Sequence, residues 1–90
     1  MAGEKILFAD SELEMRKFFS DYLRDRNYRV TTATDGLEAL RVLRYYVPDI
    51  VIADADMPYV NGLELARLLR TNHRTAHVPI IMLSPHKEVD

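Results

Sequence analysis

The stretch "DIVIADADMP", Asp49 to Pro58, decides how this chain is read. Ile50 to Ala53 are apolar at every position, without the alternation of a strand that has one wet face. A short run of this kind fits a central strand of a parallel sheet, covered on both faces. The run then ends in charge, with Asp54 and Asp56 just before Met57 and Pro58. Carboxylates at the end of a buried strand require a partner, a proton or a function.

Working outward, "KILFAD" (Lys5 to Asp10) reads as a short buried strand, and Ser11 with Glu14 forms a capping box at the head of a helix. In that helix Met15, Phe18, Phe19, Tyr22 and Leu23 recur on one apolar face. "YRVTTAT" (Tyr28 to Thr34) alternates and is rich in β-branched residues, the pattern of a half-buried strand at or near a sheet edge. Thr34 or Asp35 caps a second helix, "GLEALRVLRYYV", whose repeating face holds Leu37, Leu40, Val47 and either Leu43 or Arg44 before Pro48 stops it. "NGLELARLLRTNH" is a third helix, with Leu65, Leu68 and Leu69 inward and Arg67 and Arg70 outward. "VPIIMLS" (Val78 to Ser84) is a fourth all-apolar strand. Strands alternating with helices in this way imply an α/β fold: a parallel sheet with right-handed crossovers.

Ninety residues make one small domain, residues 1–90. With 48% hydrophobic and 29% charged residues, and no apolar run near the ~20 residues that span a bilayer, membrane insertion is not expected. The N-terminus has no signal-peptide pattern, so a cytoplasmic location is expected. The absence of cysteine removes disulfides, thiolate metal sites and cysteine nucleophiles. A net charge of -2 with both signs interspersed offers no basic stripe, so direct nucleic-acid binding is not expected. His73 and His77 are spaced i, i+4, but no third ligand accompanies them and they read as loop residues; Tyr45 and Tyr46 read as half-buried helix surface.

In a parallel α/β sheet, ligands bind beyond the carboxyl ends of the strands. Asp10, Asp54 and Ser84 end the first, third and fourth strands, and converge if those strands are neighbours. Two close carboxylates are tolerable when a cation sits between them or one takes a proton. Oxygen ligands of this kind favour magnesium, which needs one or two carboxylates plus a phosphate oxygen. A carboxylate beside magnesium can attack phosphorus to give an aspartyl phosphate. Ser84 would donate a hydrogen bond to a phosphoryl oxygen, and Gly62 would let a loop turn tightly beside the site.

The segments "KILFADSE", "YRVTTATDGLEAL", "PDIVIADADMPYVNGLEL" and "VPIIMLS" together resemble the receiver domain of two-component response regulators, over nearly the whole chain. The resemblance implies a flavodoxin-like (receiver-like) parallel sheet of order 2-1-3-4 with helices on both faces. It implies that Asp54 is the phosphoacceptor, taking a phosphoryl group from a sensor histidine kinase or phosphotransfer protein. Magnesium would be held by Asp10, Asp54 and the backbone carbonyl of Asp56, with Ser11 at the position of a further ligand. Ser84 matches the hydroxyl that hydrogen-bonds the phosphoryl group and acts as the switch. The module would signal to an output domain or partner protein through conformational change and contacts, rather than act as an enzyme.

Two departures stand out. The family ends its first strand with two acids, where this chain has Asp10 and neutral Ser11, which should weaken magnesium binding unless Glu12 or the Asp56 side chain compensates. The family's fifth strand, its phosphate-pairing lysine and its last helices have no counterpart in these residues; Lys87 lies only three residues beyond Ser84 and is not followed by proline. The uncovered edge of "VPIIMLS" and face of the first helix lead to an expectation of self-association or exchange of elements between chains. A degenerate or truncated receiver serving as a phosphorylation-independent interaction scaffold is the alternative. "VIADAD" also resembles the D-x-D of haloacid-dehalogenase-type phosphatases, but that motif lies on a first strand, and Pro58 stands where a Thr or Val is usual.

Overall fold

The computed structural model describes residues 3–84. Lys87 lies outside them. Within the described residues four strands and three helices alternate: β1 (Lys5–Ala9), α1 (Leu13–Arg24), β2 (Arg29–Ala33), α2 (Gly36–Leu43), β3 (Ile50–Asp54), α3 (Gly62–Thr71) and β4 (Ile80–Leu83). All pairings are parallel, in the order β2-β1-β3-β4, so β1, β3 and β4 are neighbours as the strand-end argument requires.

Register and pleat divide the side chains between two faces. Leu7 stands beside Val51 and Ala9 beside Ala53, and these join Ala33 on the face packed by Ala39 and Leu43 of α2 and Leu65 and Leu69 of α3. The intervening positions point the other way. There Phe8 meets Phe19 of α1, with ring centroids 5.1 Å apart. Val51 and Ala53 are buried as expected of a central strand, but Ile50 and Ile52 are only half-buried. Among the described residues α1 alone packs on their side of the sheet, so the expectation of β3 fully covered on both faces is corrected. Ile81 of the edge strand β4 is likewise 47% exposed.

The helices depart from their periodicity in the same sense. Phe18 and Tyr22 of α1 were expected inward and are 60% and 45% exposed, and Leu68 of α3 is 40% exposed. Only Ser20 of α1 is fully buried, its hydroxyl turned back onto the carbonyl of Arg16. The α1 start also differs: the N-cap is Glu12, without a side-chain cap, and the Ser11–Glu14 capping box does not form. Asp10 supplies the reason, because its Oδ1 accepts the N–H of Glu12 at 2.9 Å and makes the corner from strand to helix by itself. Asp35 and Asn61 do cap α2 and α3, accepting from Glu38 and Glu64 at 2.8 Å each. Glu38 reaches back to the N–H of Thr34 at 2.6 Å, which holds its carboxyl below the ordinary value.

Helix α2 stops at Leu43, short of Val47. The chain must turn back into β3, and Asp49 locks that return, receiving the Lys5 N–H at 2.7 Å and donating its own N–H to the Lys5 carbonyl at 2.8 Å. Tyr45 is left exposed and Tyr46 half-buried, while His73 and His77 are exposed in the α3–β4 connection. No helix among the described residues is long and apolar enough to cross a membrane.

Leu13, Phe18, Tyr22 and Ile81 leave exposed apolar surface on the α1 side of the sheet. The isolated chain is therefore expected to self-associate as concentration rises, with Phe18→Glu lowering the average mass in sedimentation equilibrium. A chain that stays monomeric across the accessible concentration range would refute this.

Candidate functional site

The carboxyl ends of β1, β3 and β4 frame a cleft of about 250 Å³. It is lined by Asp10, Asp54 and Ser84, with Glu12, Met15, Phe19 and Leu83 as the remaining walls. Asp54 is the last residue of β3 and sits beside Leu83 of β4, so sheet register delivers it to the cleft. Asp10 follows β1 directly, its N–H bonded to the carbonyl of Ala33 at 3.0 Å. Its own carbonyl accepts Nη1 of Arg16 at 2.7 Å, tying α1 to the strand end.

Both carboxylates are withdrawn from solvent, Asp10 at 3% and Asp54 at 7% exposure. Each gives one oxygen to the N–H two residues on: Asp10 Oδ1 to Glu12, and Asp54 Oδ1 to Asp56 at 3.1 Å. Burial pushes the Asp54 carboxyl above its ordinary value; the charges of Asp10 and Asp56 push the same way and the Asp56 N–H opposes them. The site thus concentrates negative charge where water solvates it poorly, an arrangement that a cation or a proton relieves.

Of the residues singled out in the sequence, Asp10, Asp54 and Ser84 come together. Asp56 is exposed, reaching Asp54 through its N–H rather than its side chain, and Ser11 is exposed and does not line the cleft. The walls Met15, Phe19 and Leu83 were not picked out for the site, because in sequence they are indistinguishable from core positions. Glu12 joins Asp10 and Asp54 as a third acid in the lining, where its neighbour Ser11 does not.

Gly62 has a reason other than a tight turn. Its φ is not in the left-handed region; instead, a Cβ there would lie 2.6 Å from the carbonyl oxygen of Asp54 and 2.9 Å from Cα of Ala55. The start of α3 presses on the backbone of the site, and the Gly62 N–H bonds the Ala55 carbonyl at 3.0 Å.

The polar side chains of the lining all offer oxygen, from the carboxylates of Asp10, Glu12 and Asp54 and the hydroxyl of Ser84, which suits magnesium. Among the described residues no group of three Asp, Glu, His or Cys side chains is gathered tightly enough to hold a metal. That is no obstacle for an ion that keeps several waters and draws on one or two protein carboxylates.

Comparison with known proteins identifies the family. A probable transcriptional regulator, ycf29, of Pyropia yezoensis is 35% identical over 80 residues, covering 89% of this chain. The chain spans only 36% of that regulator's length. The chemotaxis response regulator CheY4 of Vibrio cholerae superposes with a TM-score of 0.91 at 32% identity, over 97% of this chain and 72% of CheY4. The receiver domain of a sensor histidine kinase from Pseudomonas aeruginosa, described with a magnesium ion coordinated in its active site cleft, gives a TM-score of 0.85 at 30% identity over 90% of this chain and 66% of its own. The sequence profile of the response regulator receiver domain matches residues 6–90, and to that family this chain belongs.

Proposed function

We propose that the chain is a phosphoacceptor module of a two-component phosphorelay, with Asp54 receiving the phosphoryl group from a phosphohistidine. The observation that carries this reading is the buried Asp54 carboxylate, set beside Asp10 at the sheet's carboxyl edge in a cleft open to a substrate. Receiver domains are signalling modules, and this reading assigns the chain no turnover of its own.

Magnesium, held by Asp10, Asp54 and the Asp56 carbonyl, would neutralise the carboxylates and the incoming phosphoryl oxygens; the magnesium-bound Pseudomonas aeruginosa relative supports that assignment. The Asp56 N–H occupies Oδ1 of Asp54, which leaves Oδ2 to attack phosphorus. The new O–P bond forms as the P–N bond to histidine breaks, and the imidazole leaves with its electron pair. Ser84 donates its hydroxyl to a phosphoryl oxygen, and Met15, Phe19 and Leu83 keep that side of the cleft apolar. The phosphorylated state is read out by a cognate output domain or partner protein.

Incubation with acetyl phosphate followed by intact-protein mass measurement tests the reading. A single magnesium-dependent phosphoryl adduct is expected, and no adduct on a folded chain would leave the scaffold alternative, which the position of Ser11 outside the cleft favours.

Glu12 lines the cleft where Ser11 does not, and its charge would act on the ion through a water rather than as a third direct carboxylate ligand. Glu12→Gln is expected to raise the magnesium concentration for half-maximal adduct about fivefold, the equivalent of roughly 1 kcal/mol for one carboxylate near a partly solvated cation. Ser11→Ala should leave it unchanged. Equal magnesium dependence in Glu12→Gln and the parent chain would remove Glu12 from the site.

A further inference from the structure

A groove of about 550 Å³ between α2 and α3 plays no part in the phosphoryl chemistry. Leu37, Leu40 and Leu68 give it apolar walls, and Arg41, Arg44 and Arg74 give it a cationic rim. Among the described residues no acidic side chain lines it. The acids of the two helices, Glu38 and Glu64, are in their first turns, and Glu38 is engaged by Thr34.

Helix dipoles account for a cation such as Arg41 in the last turn of α2. They do not account for Arg74, which lies beyond the end of α3 and spans the groove to bond the Leu43 carbonyl through Nη1 at 3.3 Å. Nor do they explain why Leu37 and Leu68 stay 38% and 40% exposed on facing helices. Neither the Arg41 nor the Arg44 guanidinium hydrogen-bonds or ion-pairs within the described residues. Arg44 rests 5.8 Å from the ring of the largely exposed Tyr45. In a chain of net charge -2, a groove that is both apolar and uniformly positive is complementary to a partner of opposite charge and similar apolarity.

We infer that the α2–α3 groove is a docking surface for an acidic amphipathic helix of a partner protein. The ridge of such a helix fits between two helices. Its apolar face packs on Leu37, Leu40 and Leu68, in the helix-in-groove mode, while its flanking carboxylates meet Arg41, Arg44 and Arg74. The groove is lined by none of the residues of the phosphoacceptor cleft, so docking does not depend on that reading.

The probe is a fluorescein-labelled peptide with leucines at helical spacing and glutamates elsewhere, titrated with the full chain and followed by anisotropy. Saturable binding is expected, with amide shifts centred on α2 and α3. Arg41→Glu with Arg44→Glu should weaken it at least about tenfold, Leu68→Ser should also weaken it, and Phe18→Glu should leave it unchanged. If charge reversal prevents folding, Arg41→Gln with Arg44→Gln supplies the same comparison. Equal affinity for a peptide carrying lysine in place of glutamate, shifts centred on α1, or binding to anionic phosphatidylglycerol vesicles but not to the peptide would each overturn the inference.

Discussion

Asp54→Asn is expected to erase the phosphoryl adduct and, in the same protein, to raise the melting temperature of the metal-free chain at neutral pH. A neutral amide oxygen is too weak a nucleophile to displace the phosphoryl donor, yet it can still accept the hydrogen bond from the Asp56 N–H. The stability gain follows from the direction of the Asp54 shift. Burial first, then the charges of Asp10 and Asp56, raise the folded-state value above that of the unfolded chain, so the folded state binds the proton more tightly. Ionisation at neutral pH therefore costs folding free energy. That cost is absent below the unfolded carboxylate range and sets in fully as pH rises through the raised folded value. The asparagine variant should lack this dependence and gain about 1 kcal/mol at neutral pH, roughly 4–8 °C for a domain of this size. Magnesium should narrow the gap, since an ion that binds only the folded parent stabilises only the parent. Thermal melts with and without magnesium decide it, and a variant that melts below the parent in metal-free buffer would refute the charge argument.

Gly36→Ala should be among the most destabilising single-methyl additions in this chain. A Cβ at Gly36 would lie 1.8 Å from the carbonyl oxygen of Val60 and 2.7 Å from its carbonyl carbon, so backbone would meet side chain with no room for either. Relief requires the start of α2 or the β3–α3 loop to move. That loop is braced by the Val60 N–H on the Pro58 carbonyl at 2.8 Å and by Tyr59 at φ 71°, a region uncomfortable for a non-glycine residue. A loss of about 3 kcal/mol or more is expected, a large part of the 5–15 kcal/mol that holds a small domain folded. The urea midpoint measures it; a change within about 0.5 kcal/mol would show that the loop yields freely.

The strands were legible because each is an uninterrupted β-branched or apolar run bounded by charge, proline or a helix cap, and their ends named Asp10, Asp54 and Ser84. What periodicity conceals is whether anything covers an apolar face. Phe18 and Tyr22 repeat at helical spacing as faithfully as Phe19, and only the contact with Phe8 separates the packed ring from the exposed ones. Local hydrogen bonding sets the α1 start differently, since the Asp10 side chain takes the Glu12 N–H and the N-cap falls on Glu12 instead of Ser11. The demand for glycine at position 36 comes from Val60, far along the chain, and contacts of that kind leave no local signature.

The two halves of the cleft are held with unequal strength. Asp54 ends a strand hydrogen-bonded on both sides, whereas Glu12, Met15 and Phe19 belong to or lead into α1, the helix with a single fully buried residue. Amide hydrogens of α1 should exchange with solvent earlier than those of β1 and β3, because less apolar burial opposes its detachment. Each such opening would release the Glu12 N–H and the Arg16 guanidinium from Asp10, leaving that carboxylate momentarily to solvent while Asp54 stays fixed. The sheet thus acts as the anvil of the site, and local unfolding of α1 as its hinge.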